Sequence, residues 1–155
     1  MDIKLRNTVI GDLDFVLNIE HLDENKAFIA QWERSRHEEI LRSDVNCHFI
    51  IESSDKEKLG YIILYNLTKI NQGYYIKRMA LLKKSKGIGR VALTLLIKNM
   101  NVPEDLILAV VETNIRAIKS YQAVGFKFKV LSKKERKAFK INIDDISDDC
   151  LVMVY

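Results

Sequence analysis

The chain has few of the residues that interrupt, crosslink or anchor a fold. One proline and six glycines occur in 155 residues, with no linker-like cluster, so we expect residues 1–155 to form a single domain. The two cysteines, Cys47 and Cys150, lack a C-x-x-C spacing and nearby paired histidines, which favours buried free thiols and no disulfide or metal site. No apolar run approaches the roughly 20 residues of a membrane helix, and no signal-peptide core begins the chain. We therefore expect a cytosolic protein without a membrane partner.

The distribution of charged residues argues against a nucleic-acid partner. Basic residues outnumber acidic ones by 25 to 21, and they concentrate in residues 77–90 and 127–140. Neither region interleaves aromatic residues or matches a known nucleic-acid module, so we expect no nucleic-acid partner. The second region is followed by acidic residues 144–149 and has the pattern of a solvated surface.

Hydrophobic periodicity predicts an α/β protein with an α+β-type central twisted mixed β-sheet flanked by helices. The predicted strands are 3–7, 47–53, 59–67, 74–82, 106–112, 126–130 and 150–155. The predicted helices are one that Asp12 caps, then 24–41, 88–100 and 115–124, the last ended by Gly125. The last strand is apolar throughout, so it either pairs across a dimer interface or lies covered inside the sheet.

A glycine-rich junction, KKSKGIGRVAL at residues 83–93, lies between a predicted strand and a predicted helix. Free backbone N–H groups at a helix start, with glycines that let a ligand approach, favour a diphosphate site. Lys84, Lys86 and Arg90 would add positive charge. The alternative from the residues alone is that Gly87 and Gly89 only shape a tight turn.

The same junction satisfies the dinucleotide-binding pattern G-x-G-x-x-G/A. Glu112 follows Gly89 by 23 residues (112 − 89), near the spacing of a ribose-binding acid. Only 43 residues (155 − 112) follow Glu112, however, too few for a second mononucleotide-binding half. A small dinucleotide-binding domain is therefore a second hypothesis.

A second motif, NIRAIKSYQAVGF, begins at Asn114, and Tyr121 lies two helical turns after it. Together, KKSKGIGRVAL and this motif resemble the GNAT superfamily of acetyl-CoA-dependent N-acetyltransferases. The resemblance extends over almost the whole chain, because the order of predicted elements also matches that fold. It implies an enzyme that transfers acetyl from acetyl-CoA to a primary amine by direct attack, without a metal or a covalent intermediate. A module that binds acetyl-CoA without turnover is the alternative.

The resemblance also implies residue roles. The family's Q/R-x-x-G-x-G/A loop falls on Lys84, Ser85, Lys86, Gly87, Ile88 and Gly89, and through Arg90 its amides would bind the pyrophosphate of coenzyme A. Met79, Ala80 and Leu81 would pair with the pantetheine arm, and one of their amides would polarise the thioester carbonyl. Asn114 would contact pantetheine, Ala117 would leave that helix face open, and Tyr121 would protonate the leaving thiolate.

This chain departs from the family pattern at two positions. Lys84 replaces the usual glutamine or arginine, which retains the charge without the planar fork. The glutamate that many relatives use as general base has no counterpart on the neighbouring strands. The remaining candidates for the base are Glu20, Glu24, Glu33, His37, His48 and Glu112.

The acceptor is expected to contact residues 20–32 and 133–149, with Trp32 either in the pocket or in the core. Acidic residues there favour a cationic amine such as a polyamine, an aminoglycoside or a protein amino terminus: Asp23, Glu24, Asp144, Asp145, Asp148 and Asp149. Because relatives are often dimers, a homodimer is a further expectation.

Overall fold

The computed structural model describes residues 2–67, 73–84, 87–100, 106–142 and 150–155. Its strands are β1 (Ile3–Asn7), β2 (Cys47–Ser53), β3 (Lys58–Asn66), β4 (Tyr74–Leu81), β5 (Leu106–Val111), β6 (Lys127–Lys129) and β7 (Cys150–Val154). Its helices are α1 (Leu13–Glu20), α2 (Asp23–Lys26), α3 (Arg34–Leu41), α4 (Ile88–Met100), α5 (Ile115–Val124) and α6 (Lys133–Asn142). A single 3-10 turn, Ile10–Asp12, precedes α1.

All described strands form one seven-stranded sheet in the order β1-β2-β3-β4-β5-β7-β6. Neighbouring strands are antiparallel except β4 and β5, which are parallel. A dinucleotide-binding domain needs a run of parallel strands, so this topology counts against that hypothesis. The predicted mixed sheet with flanking helices is confirmed.

Helices cover both faces of the sheet. One apolar layer joins Val16 and Ile19 of α1 and Ile40 of α3 to the sheet, and the other joins α4 and α5 to it. Ile107 of β5 belongs to the first layer, whereas Leu106 and Leu108 belong to the second. A strand covered on both faces needs apolar residues at every position, which explains the continuous LILAVV run.

One predicted helix is wrong, and one helix of the structure was not predicted. The predicted helix 24–41 is two helices, α2 and α3, separated by residues 27–33. The basic segment predicted only as surface contains α6. β7 lies between β5 and β6, so the last strand is an inner strand that its neighbours cover on both edges. The predicted C-cap at Gly125 is confirmed by its φ of 121°.

β4 and β5 separate after a short paired region. Their pairing joins Tyr74, Tyr75 and Ile76 to Leu106, Ile107 and Leu108. Beyond it, β4 continues to Leu81 and β5 to Val111 along diverging paths. On its other edge, β4 carries a β-bulge, because Ile63 pairs with Arg78 and Leu64 with Ile76, which leaves Lys77 as the extra residue. The divergence opens the sheet into a cleft.

Candidate active site

The cleft between the diverging strands has a volume of about 510 Å³. It is lined by residues 28–30 of the segment after α2, by β4 and β5, by the start of α4, and by α5. The lining brings together most of the residues that the sequence predicts for the site: Met79, Leu81, Lys84, Gly87, Ile88, Gly89, Arg90, Asn114, Ala117 and Tyr121. Ser85 and Lys86 lie outside the described residues.

Alternation along β4 decides which of its backbone groups face the cleft. The Leu82 N–H donates to the Leu59 carbonyl of the neighbouring strand at 2.8 Å. Because successive residues of a strand point their N–H and C=O groups to opposite edges, those of Ala80 also face β3, and those of Met79 and Leu81 face the cleft. Ala80 is buried in the layer beneath α1 and α3 and does not line the cleft. Of the three residues predicted to pair with pantetheine, Met79 and Leu81 therefore have backbone groups that face the cleft, and Ala80 does not.

The turn before α4 combines a glycine of positive φ with a helix start. Gly87 has a φ of 73°, a backbone conformation that residues other than glycine rarely adopt. Intrahelical bonding begins with the N–H groups of Arg90 and Val91, which both donate to the Gly87 carbonyl. The N–H groups of Ile88 and Gly89 precede this first bond, so they point out of the helix start. Two further lining cations from α5, Arg116 and Lys119, were not singled out from the sequence.

Lys84 extends from this turn towards the segment after α1. Its ammonium donates to the backbone carbonyl of Glu24 and lies 5.5 Å from the centre of the Phe28 ring. Burial lowers the pKa of Lys84. Asn25, another residue that sequence reasoning missed, donates from Nδ2 to the Leu81 carbonyl at 3.1 Å and to the Ile19 carbonyl at 2.9 Å. These contacts hold the edge of β4 against the α1–α2 connection.

On α5, Asn114 and Tyr121 both line the cleft. The Asn114 side chain accepts a hydrogen bond from the Ala117 N–H at 3.3 Å, so it also caps the helix. The ring of Tyr121 packs against Phe126 at a centroid distance of 5.8 Å. Burial raises the pKa of Tyr121 to about 12, so its hydroxyl keeps its proton at neutral pH.

The structure does not bring the candidate bases into the cleft. Glu24, Glu33 and Glu112 are exposed, and none of the six candidates belongs to the described lining. Asp23 and Glu24, expected at the acceptor site, are also outside that lining. The four aspartates at 144, 145, 148 and 149 lie outside the described residues.

Three of the candidate bases instead form a buried polar cluster with Tyr61 and Arg78. These three are Glu20, His37 and His48, and the five residues are here called the Glu20 cluster. The Glu20 carboxylate accepts hydrogen bonds from Tyr61 OH at 2.5 Å, the Trp32 N–H at 3.0 Å and Arg78 Nη1 at 3.3 Å. His37 Nε2 lies 3.4 Å from the same carboxylate, and His37 Nδ1 lies 3.3 Å from His48 Nε2.

Opposing effects set the ionisation of Glu20. Burial alone would raise its pKa, but the contacts from His37, Tyr61, the Trp32 amide and Arg78 outweigh it and lower the pKa. Glu20 is therefore ionised at neutral pH. The cluster connects α1 to residues 30–32 through the Trp32 N–H and through Arg78, which donates to the Ala30 carbonyl. It thereby fixes the segment that lines one wall of the cleft.

His48 makes folding stability depend on pH. Burial, then the neighbouring His37, lower its pKa to about 3, against about 6.5 when unfolded. Because the unfolded chain binds the extra proton between these values, stability rises with pH from about 3 to 6.5. We expect a gain of about 2 kcal/mol between pH 5 and pH 7, measured by urea unfolding. His48→Gln should flatten this slope, and His21→Gln, at an exposed site, should not; equal slopes in all three proteins would contradict the assignment.

A scan against family models matches residues 14–126 to the acetyltransferase (GNAT) family. The match spans most of the chain and includes the glycine turn, Asn114 and Tyr121. The chain belongs to the acetyltransferase (GNAT) family. This membership confirms the predicted family and the predicted N-acetyltransferase activity.

Solved structures with the same fold include several N-acetyltransferases. Spermidine N-acetyltransferase from Vibrio cholerae, in complex with CoA and spermine, has a TM-score of 0.77 at 17% identity, over 99% of this chain and 94% of that one. Aminoglycoside acetyltransferase AAC(6')-Ib, in complex with coenzyme A and kanamycin, has a TM-score of 0.75 at 18% identity. The match covers 99% of this chain and 94% of that one. At these identities the likeness shows the fold alone. No curated protein matches the chain significantly.

Within the described ranges, no three His, Cys, Asp or Glu side chains are placed to hold a metal ion. No helix within those ranges is long and apolar enough to cross a membrane.

Proposed function

We propose that this N-acetyltransferase binds acetyl-CoA along the β4 edge and the α4 turn, and that Tyr121 is its general acid. The observation that carries the proposal is that the glycine turn, the open edge of β4 and Tyr121 all face one cleft. The N–H groups of Ile88 and Gly89 would bind the diphosphate, with Lys84, Arg90, Arg116 and Lys119 adding positive charge. The pantetheine arm would lie against Met79 and Leu81.

The chemistry follows from this placement. The neutral amine of the acceptor attacks the thioester carbonyl carbon, and the negative charge that develops on the oxygen is stabilised by the Met79 N–H. The C–S bond then breaks, Tyr121 donates its proton to the leaving thiolate, and the tyrosinate regains a proton from solvent. The attacking nitrogen loses its proton to solvent, because no carboxylate or imidazole belongs to the described lining of the cleft.

The test is amine-dependent release of thiol from acetyl-CoA, with Gly89→Val as the variant of the proposed diphosphate site. A Cβ at Gly89 would lie 3.4 Å from Leu81 Cδ1 and from Met79 Cε, two side chains that line the cleft, so the branched side chain of valine would crowd the cleft wall beside the glycine turn. We expect the KM for acetyl-CoA to rise about tenfold or more, because the valine side chain would keep the phosphates away from the N–H groups of Ile88 and Gly89. The Kd from calorimetry should rise in parallel.

Gly11→Val is the matched control, since a Cβ at Gly11 has nothing within 4 Å. Its KM should equal that of the unaltered protein. An unchanged KM in Gly89→Val would exclude the α4 turn as the diphosphate site. Binding of acetyl-CoA without thiol release from any amine would contradict turnover.

We also propose that the protein works in the cytosol. Its cysteines, Cys47 and Cys150, are not joined by a disulfide and are half-buried, not buried as predicted; a reducing compartment preserves such thiols.

A further inference from the structure

Asn25 of α2 is a buried polar side chain in the lining of the cleft, and the proposed mechanism does not use it. The residue is only 2% exposed, and it lines the cleft. Its Nδ2 donates to the Ile19 carbonyl at 2.9 Å and to the Leu81 carbonyl at 3.1 Å. An amide nitrogen has two hydrogens, so these bonds use both of them and identify which atom of the side-chain amide is the oxygen.

The amide oxygen of Asn25 is the half of the side chain without a partner. Among the described residues, Oδ1 has no hydrogen bond, yet it keeps a small accessible area, unlike an oxygen sealed in the core. Since Asn25 lines the cleft, Oδ1 opens into it. From the size of an amide group, Oδ1 lies within about 5.5 Å of the Leu81 carbonyl oxygen. A ligand that fills the cleft must present a donor here or leave a buried acceptor unpaired.

Backbone contacts hold Asn25 in place before any ligand binds. Its N–H donates to the Leu22 carbonyl at 2.8 Å. Its own carbonyl accepts hydrogen bonds from the N–H groups of Phe28 and Ile29, at 2.9 and 3.0 Å. The backbone bonds fix the residue and the Nδ2 bonds fix the side chain. An acceptor that is already fixed loses little conformational entropy when a ligand pairs with it, so more of the hydrogen-bond energy contributes to binding.

The open edge of β4 indicates which donor reaches Oδ1. The described pairing of β4 with β5 ends at Ile76, so Met79 and Leu81 present backbone groups to the cleft. Leu81 lies between Met79 and the α4 turn along the chain, so the part of acetyl-CoA beside it is the pantetheine arm. An arm along this edge directs its amide N–H groups at acceptors of the strand. The Leu81 carbonyl already accepts from Asn25 Nδ2, and Oδ1 is the open acceptor at this point.

We propose that Asn25 is a specificity-determining residue for the acyl donor, whose Oδ1 accepts a hydrogen bond from one of the two amide N–H groups of the pantetheine arm. The inference rests on the proposed function and adds to it the side chain that recognises the arm. The Asn25 amide lies between the arm and β4, accepting from the first and donating to the second. A carrier of acetyl without an amide N–H at this place leaves Oδ1 unpaired and binds more weakly.

The first experiment uses CoA analogues that each differ from CoA at one amide. In each of two analogues, one amide N–H of the pantetheine arm is replaced by an ester oxygen, and Kd is measured by calorimetry. For the unaltered protein, we expect one analogue to bind about tenfold more weakly than CoA. In Asn25→Ala, that analogue and CoA should bind equally, because the partner of the N–H is absent. The same loss of affinity in both proteins, or no loss in either, would overturn the proposal.

ADP separates a direct contact from a merely structural role of Asn25. It has the diphosphate but no pantetheine arm, so Asn25→Ala should raise the Kd for CoA about tenfold and leave the Kd for ADP unchanged. If Asn25 only held β4 and the α4 turn in position, both Kd values would rise together, which would contradict the contact. Asn18→Ala removes the same side chain from an exposed position of α1 and should change neither value.

A second variant keeps the test valid if Asn25→Ala does not fold. The hydroxyl of Asn25→Ser can still donate to one of the two carbonyls but is too short to replace Oδ1, so this variant gives the same expected results. The binding data also separate this inference from the proposed function. Equal CoA affinity of the unaltered protein and the variant would overturn the inference and leave the proposed site in place. Failure of the unaltered protein to bind either CoA or ADP would overturn the proposed site itself.

Discussion

Replacing Tyr121 with phenylalanine is expected to lower kcat by about 10²- to 10⁴-fold, the range of a general acid. The substitution removes only the hydroxyl and keeps the ring packed against Phe126. Burial raises the pKa of this hydroxyl to about 12, so at neutral pH it carries the proton that a general acid donates. The loss should therefore appear in kcat, with little change in the Kd for acetyl-CoA.

Tyr155→Phe is the matched control for this variant. The Tyr155 ring also packs against Phe126, at a centroid distance of 5.6 Å, but Tyr155 does not belong to the described lining of the cleft. Its kcat should equal that of the unaltered protein. A Tyr121→Phe enzyme within threefold of normal kcat would exclude Tyr121 as the acid. A rise in the Kd for acetyl-CoA with normal kcat would make it a binding residue instead.

Replacing Glu20 with glutamine is expected to lower the free energy of unfolding by about 3–5 kcal/mol. Glu20 is fully buried and ionised, and it accepts hydrogen bonds from Tyr61, Arg78 and the Trp32 N–H. A neutral amide has nearly the same shape but removes the negative charge that balances Arg78 in the interior. For a chain of this size, we expect Tm to fall by about 6–20 °C in a thermal melt.

Two variants test this explanation. Glu33→Gln removes a carboxylate from an exposed position and should change Tm little. Combining Glu20→Gln with Arg78→Met removes both charges and should restore part of the lost stability, since a buried pair is costly mainly when broken. A Glu20→Gln protein within 2 °C of normal would show that the carboxylate does not compensate Arg78.

The sequence was a good guide to local structure. Alternating and continuous apolar runs predicted the strands of the sheet, and residues 115–124 with Gly125 predicted α5 and its cap. These features depend on residues close together in the chain, so periodicity and turn chemistry are sufficient to find them. The two motifs likewise predicted the family, because each is one continuous stretch of sequence, the first at the start of α4 and the second along α5.

The helix predicted over 24–41 shows where local pattern was insufficient. The break between α2 and α3 places residues 28–30 along the cleft, and it is held by Glu20 from α1 and Arg78 from β4. Both contacts join residues distant in sequence, and a propensity estimate contains neither of them. Tertiary hydrogen bonds therefore overrode the helical periodicity of this segment.

By itself, the sequence determined the sheet's strands, the glycine turn before α4 and the position of Tyr121 two turns after Asn114. Only the tertiary structure decided that Met79 and Leu81 face the cleft and Ala80 does not, and that Lys77 joins Arg78 beside Trp32. These depend on the register between β3 and β4, where one extra residue reverses the direction of the side chains before it. Register is set by pairing between separate strands, so it becomes visible only when the strands have been brought together.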